Sequence, residues 1–250
     1  MMEKRGNEDA LATVEVATAR ARRFVTWAAA ITALTAALAL GIGVLTPAHG
    51  GILCVSDCVR PPYTDVAGII VAESVWIYPA LVMALGFVAL TAGLYELAPL
   101  PRRIAALMAL AFALLSASLL VGDYGMLLMA VKPSIAKGEG PLVAAFSMYN
   151  PHGLFIALEN AGYFLMGLAF LGVAGAIEGE HRLGRAIRWT FFAAGALAVG
   201  GLGVLGLAFG DDLDVRYEVF AISVDYLALI LGGAMLTAMH LRRRHIGRSV

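Results

Sequence analysis

Residues 24–45 read FVTWAAAITALTAALALGIGVL, 22 consecutive positions without an ionisable side chain. At 1.5 Å per residue a helix of that length covers about 33 Å, enough to cross the hydrocarbon core of a bilayer. Only single threonines interrupt the run, so it is apolar around its whole circumference. That is the pattern of a membrane span and not of an amphipathic surface helix. Arg20, Arg22 and Arg23 precede it, as basic residues precede a signal peptide. The apolar stretch is longer than the roughly 7–15 residues of a signal h-region, so it is read as a retained span.

Working outward, five further apolar runs of spanning length follow at 69–96, 104–131, 153–177, 187–209 and 215–241. Together they predict an all-α, polytopic integral membrane protein, a six-transmembrane-helix bundle. The chain divides into a helical N-terminal extension (1–23), the membrane domain (24–241) and a basic tail (242–250). Asp9 is the expected N-cap of a helix running through Ala10 to Arg23 into the first span. Composition agrees: 60% of residues are hydrophobic and 14% charged, against roughly 25% charged in ordinary soluble domains.

Eighteen basic and 18 acidic side chains cancel, which removes the positive field expected of a nucleic-acid binder. Their placement is more informative than their sum. Fourteen of the basic residues, from Lys4 and Arg5 through Arg102, Arg103, Arg182, Arg185 and Arg188 to Arg242, Arg243, Arg244 and Arg248, fall on one side of the predicted spans. Arg60, Lys132, Lys137 and Arg216 fall on the other. The positive-inside rule then predicts both termini in the cytoplasm. A prokaryotic cytoplasmic membrane, with the bilayer itself as partner, is the expected location.

Two connections on the predicted outer side are long, 49–68 and 132–151. In Cys54-Val55-Ser56-Asp57-Cys58 the two cysteines face an oxidising compartment, so a small disulfide loop is the first reading. The spacing is not the Cys-x-x-Cys of thiol oxidoreductases. A metal site with His49 is a weaker alternative, and neither a metal nor a cofactor is expected. Pro61 and Pro62 stiffen the approach to the second span. Leu142 to Tyr149 reads as a short interfacial helix, with a lid over the bundle as the alternative.

Five acids fall inside spans, each costing roughly 2.5–3.5 kcal/mol on insertion scales unless it has a partner, a wet cavity or a function. Helical rise places Glu73 and Glu218 about 6 Å deep, Glu159 about 9 Å, Asp123 about 12 Å and Asp225 about 16 Å, all in the outer half. Glu218 and Asp225 are two turns apart, as are His152 and Glu159, and Tyr163 follows Glu159 by one turn. With Asn160 beside Glu159, these residues outline a candidate ligand pocket. Tyr78, Tyr124, Tyr217 and Tyr226 are distributed near the same acids, where their hydroxyls can satisfy carboxyl groups. Pro79, six residues after Glu73, predicts a kink in the second span. The alternative is purely structural: interfacial Glu73 and Glu218, with the deeper acids neutral and bonded across helices.

Small residues run through the fifth span as Gly195, Gly200, Gly201, Gly203, Gly206 and Gly210, the last two in GxxxG spacing. Tight packing within the bundle is the expectation, with a homodimer seam as the alternative. The fourth span offers Gly162, Gly167, Gly172 and Gly175. No Walker loop, dinucleotide fingerprint, HExxH or G-x-S-x-G occurs, so the common ATPase, dehydrogenase, zinc-protease and serine-hydrolase readings have no support. The two halves of the chain show no repeat of the kind inverted-repeat transporters carry.

These features point first to a protein that binds or transports a cation or small amphipathic molecule in an outward-facing acidic, tyrosine-lined pocket. An accessory subunit whose acids dock a partner helix is a further reading. Glu73, within Glu73-Ser74-Val75-Trp76, and Asp225 on the last span are similar in placement to the intramembrane acids of the small integral-membrane terpene cyclases. The resemblance covers those two positions, and the chain has one predicted span fewer than that family. It implies an enzyme that protonates an isoprenoid-like substrate with an intramembrane carboxylic acid.

Overall fold

The computed structural model describes residues 2–246; the end of the basic tail, Arg248 included, lies outside the described residues. Among them the chain is all-helical. Six helical segments are long and apolar enough to cross a membrane: Glu15–Leu45, Ile70–Leu97, Leu100–Lys137, Leu154–Ala176, Arg182–Asp212 and Val215–Arg242.

Helix α1 (Met2–Leu45) carries the N-terminal extension straight into the first span. It begins seven residues before Asp9, which is therefore an interior residue and not the expected N-cap. No proline lies between Met2 and Asp9 to stop the helix there.

The second span is broken, not merely kinked. Helix α2 (Ile70–Glu73) ends at Glu73, and α3 (Ile77–Leu97) begins two residues before Pro79, which lies in its first turn. The ring of Pro79 clashes with the carbonyl four residues earlier and removes a donor, so the disruption appears upstream, at Ser74–Trp76. There the ladder tightens to three-residue bonds: Val75 N to Ala72 O, Ile77 N to Ser74 O and Tyr78 N to Val75 O.

The third span is α4 (Arg103–Met126), a π-helical turn (Leu127–Val131) and α5 (Lys132–Lys137) in one continuous rod. Helix therefore persists to Lys137, where Gly138 at φ 73° caps it in the left-handed region, and the connection starts later than the expected 132. Helix α6 (Gly140–Phe146) follows, then α7 (Leu154–Ala176), α8 (Arg182–Phe209) and α9 (Asp214–Ile246).

Glycines set the closest helix approaches. A Cβ at Gly172 of α7 would sit 2.7 Å from the backbone nitrogen of Ala109 in α4, and one at Gly195 of α8 would sit 2.6 Å from the carbonyl oxygen of Gly167 in α7. One at Gly233 of α9 would meet the Ala29 carbonyl of α1 at 2.8 Å. By contrast, a Cβ at Gly200 or Gly203 meets nothing within 4 Å, so part of the glycine run of the fifth span faces away from the bundle. Helices α1 and α9 run antiparallel: Ala29 contacts Gly233, while at the other end Gly51, just past α1, contacts Val215 at the start of α9.

Candidate functional site: an acidic cavity beneath two packed loops

At the disulfide end of the bundle a cavity of about 480 Å³ is lined by residues of both α1 and α9. That volume is within the usual range for small-molecule sites. Its walls come from Ala39–Val44 of α1 and from Glu218, Ile222 and Tyr226 of α9; Glu73 and Trp76 border it at the break in the second span. Two loop stretches, 46–51 and 148–151, form the roof.

The roof is fastened at three points. His49 Nδ1 lies 2.7 Å from Glu73 Oε1, a close polar contact without hydrogen-bond alignment. The Tyr149 hydroxyl donates to Glu73 Oε2 at 2.8 Å. Burial, then the bond and charge of Glu73, push the Tyr149 hydroxyl well above its ordinary value, so it stays a donor. Gly50 packs so closely on Tyr149 that a Cβ would lie 2.8 Å from that residue's carbonyl oxygen. Cys54 and Cys58 form a disulfide, and Val59 just beyond it donates its backbone N–H to the His49 carbonyl at 2.9 Å. The segment expected to lie on the membrane surface is thus partly α6 and partly this inward-folded roof.

Behind the cavity wall runs a chain of hydroxyls. Tyr124 donates to Glu159 Oε1 at 2.6 Å, and its oxygen is 2.6 Å from that of Tyr163, which is 3.1 Å from that of Tyr226. Glu159 is fully buried. The Tyr226 end of the chain lines the cavity, as does Glu218 on the same helix. Trp76 packs edge-on against Tyr124 at 5.4 Å and ties the wall to the chain.

Of the sequence candidates Glu73 and Glu218 line the cavity, while Glu159 and Tyr163 belong to the hydroxyl chain behind it. Asp123 and Asp225 are buried but line no part of the cavity, and neither carboxyl group has a hydrogen-bond partner within the described protein. Glu218 and Asp225 are two turns apart on α9, about 10 Å of helix rise, and of the two only Glu218 lines the cavity, although Tyr226, next to Asp225, does too. The two acids of the cyclase resemblance therefore part: Glu73 borders the cavity and Asp225 does not. His152 is exposed in the turn before α7, its backbone N–H bonded to Asn150 Oδ1, so it is not on the helical face of Glu159. Asn160 is half-buried and outside the cavity lining, and Tyr78 is exposed.

Sequence reasoning missed Tyr149 and the roof role of His49. It also missed Lys132, whose ammonium donates to Ser74 Oγ at 3.1 Å beside the helix break. No Lys or Arg lines the cavity itself. Among the described residues no group of three or more His, Cys, Asp or Glu is placed to hold a metal ion. No known protein family, curated protein or solved structure matches the chain.

Proposed function

We propose that this is a multi-pass protein of a prokaryotic cytoplasmic membrane, with its disulfide end outside, that binds or transports a small organic cation in the cavity between α1 and α9. The observation that carries the reading is the wall chemistry: two carboxyl groups, Glu73 and Glu218, and no Lys or Arg. Trp76 offers an aromatic face and Tyr226 and Ser223 offer hydroxyls, a set suited to an ammonium group and poorly suited to an anion. Of the two, Glu218 is carried by α9, the helix whose Val219 and Ile222 supply apolar lining, and it is the principal counter-charge in this reading.

The test is binding of tetramethylammonium to purified protein in nanodiscs of zwitterionic lipid. Wild type is expected to bind, and Glu218→Gln to bind about tenfold more weakly through loss of a charge-assisted contact. Equal affinity for an uncharged isostere, or no effect of Glu218→Gln, refutes the reading. Flux of the same cation into proteoliposomes separates transport from binding.

A further inference from the structure

The cavity's openings say more about its occupant than its acids do. Above, the roof is pinned by Gly50 on Tyr149 and by the double engagement of Glu73. At the side, lining residues on the two flanking helices are exposed: Val44 of α1 is 76% exposed and Val219 of α9 is 38% exposed. Both lie within segments of spanning length and hydropathy. The helices touch at Ala29 and Gly233, and further along, where Gly43, Val44 and Val219 line the cavity, its lining is exposed at the side between two membrane helices. Gly43 keeps that opening wide, since a Cβ there meets nothing within 4 Å. The opening is apolar along Leu40, Gly43, Val44 and Val219, and the cavity's carboxyl groups are those of Glu73 and Glu218.

We infer that the occupant is a membrane-borne amphiphile, a long-chain amine. It enters sideways from the bilayer, with its ammonium group at Glu218 and its chain between α1 and α9. This rests on the cation-binding reading and adds the ligand class and the route. Charge complementarity selects the amine head, and an opening at span depth beneath a fastened roof selects the apolar tail. Membrane-borne ligands reach a protein through exposed apolar surface at the matching depth, which these residues supply.

The probe is a long-chain alkylamine carrying a diazirine at mid-chain, added to the intact protein in nanodiscs and irradiated. Photolabelling is expected in residues 39–44 and 219–223. Glu218→Gln is expected to reduce it about tenfold, because the ammonium loses its charged partner. Gly43→Phe, which has open space at its Cβ, is expected to suppress labelling in the same two segments while the protein elutes as one folded species. Labelling scattered over exposed residues such as Val204 and Leu207 of α8, or labelling as strong with the uncharged alcohol, overturns the inference. If scattered labelling accompanies retained tetramethylammonium binding, the cavity fills from water and only the lateral route falls. If neither probe binds, the cation reading falls with it.

Discussion

The hydroxyl of Tyr149 and the carboxylate of Glu73, 76 positions apart in the chain, are joined by a 2.8 Å hydrogen bond that fastens the loop after α6 to the last residue of α2. Both groups are buried, so the bond is shielded from water. Replacing Tyr149 by Phe leaves Glu73 with His49 as its remaining engaged partner, and a lost hydrogen bond to a charged group costs about 1.5–3 kcal/mol. Chemical unfolding in a mild detergent at neutral pH is the measurement, and an unchanged midpoint refutes the assignment.

The same bond predicts an alkaline signature. The Tyr149 hydroxyl is raised above its ordinary value of 10.0 by burial first and by Glu73 second. A group raised in the folded state contributes its stability in full below the unfolded-state value, and that contribution is lost as pH rises above it. Wild type is therefore expected to lose stability above about pH 10 more steeply than Tyr149→Phe, by at most about 1.4 kcal/mol per pH unit. Parallel pH profiles for the two proteins rule this out.

Along the hydroxyl chain the cost of each deletion depends on position. Tyr124→Phe removes the donor to Glu159, so it is expected to cost about 1.5–3 kcal/mol, whereas Tyr226→Phe, at the chain's end, costs about 0.5–1.5 kcal/mol. Tyr124 and Tyr163 touch directly, so their double variant should be non-additive by about 0.5 kcal/mol or more. Additive losses in a double-mutant cycle mean the chain does not act as a unit.

The spans are legible in the sequence because an apolar run of sufficient length has few alternatives to crossing a bilayer, and residues 24–45 already carry that information. Side-chain convergence is less legible. Helical spacing gives azimuth, and Glu218 and Asp225 are two turns apart, but spacing cannot say that Glu218 lines the cavity while Asp225 does not. His152 escapes the helical pattern because α7 starts at Leu154, after a turn held by Asn150. The roof is the least legible part: His49 and Tyr149 lie in connections without periodicity, and their meeting at Glu73 is a tertiary event. What the sequence does hold is Pro79, whose steric effect falls four residues upstream and so marks where Glu73 ends its helix.

Glycine positions on α7 and α8 make a contrasting pair of predictions. Gly172→Ala places a Cβ 2.7 Å from the Ala109 backbone, which cannot yield without moving α4 against α7. A loss of about 1–3 kcal/mol is expected, the range for overpacking. Gly203→Ala meets nothing within 4 Å and removes a flexible residue from a helix interior, so stability should be unchanged or rise by up to about 1 kcal/mol. Thermal unfolding of both in the same detergent checks the ordering, and equal losses contradict the helix contacts described.

Pro79→Ala separates stability from site geometry. Without the ring the clash with the Val75 carbonyl disappears, and the new N–H can bond that carbonyl, so α3 can extend back through Trp76 toward α2. Each residue restored to regular helix turns the chain by about 100°, which rotates Glu73 away from His49 and Tyr149. The helix itself gains, and overall stability is expected to hold or rise, while the roof loses its anchor. Hydrogen–deuterium exchange should therefore quicken at residues 46–51 and 148–151 with no fall in melting temperature, and amine binding should weaken in parallel. If roof exchange stays as in wild type, the proline break is not what presents Glu73 to the loops.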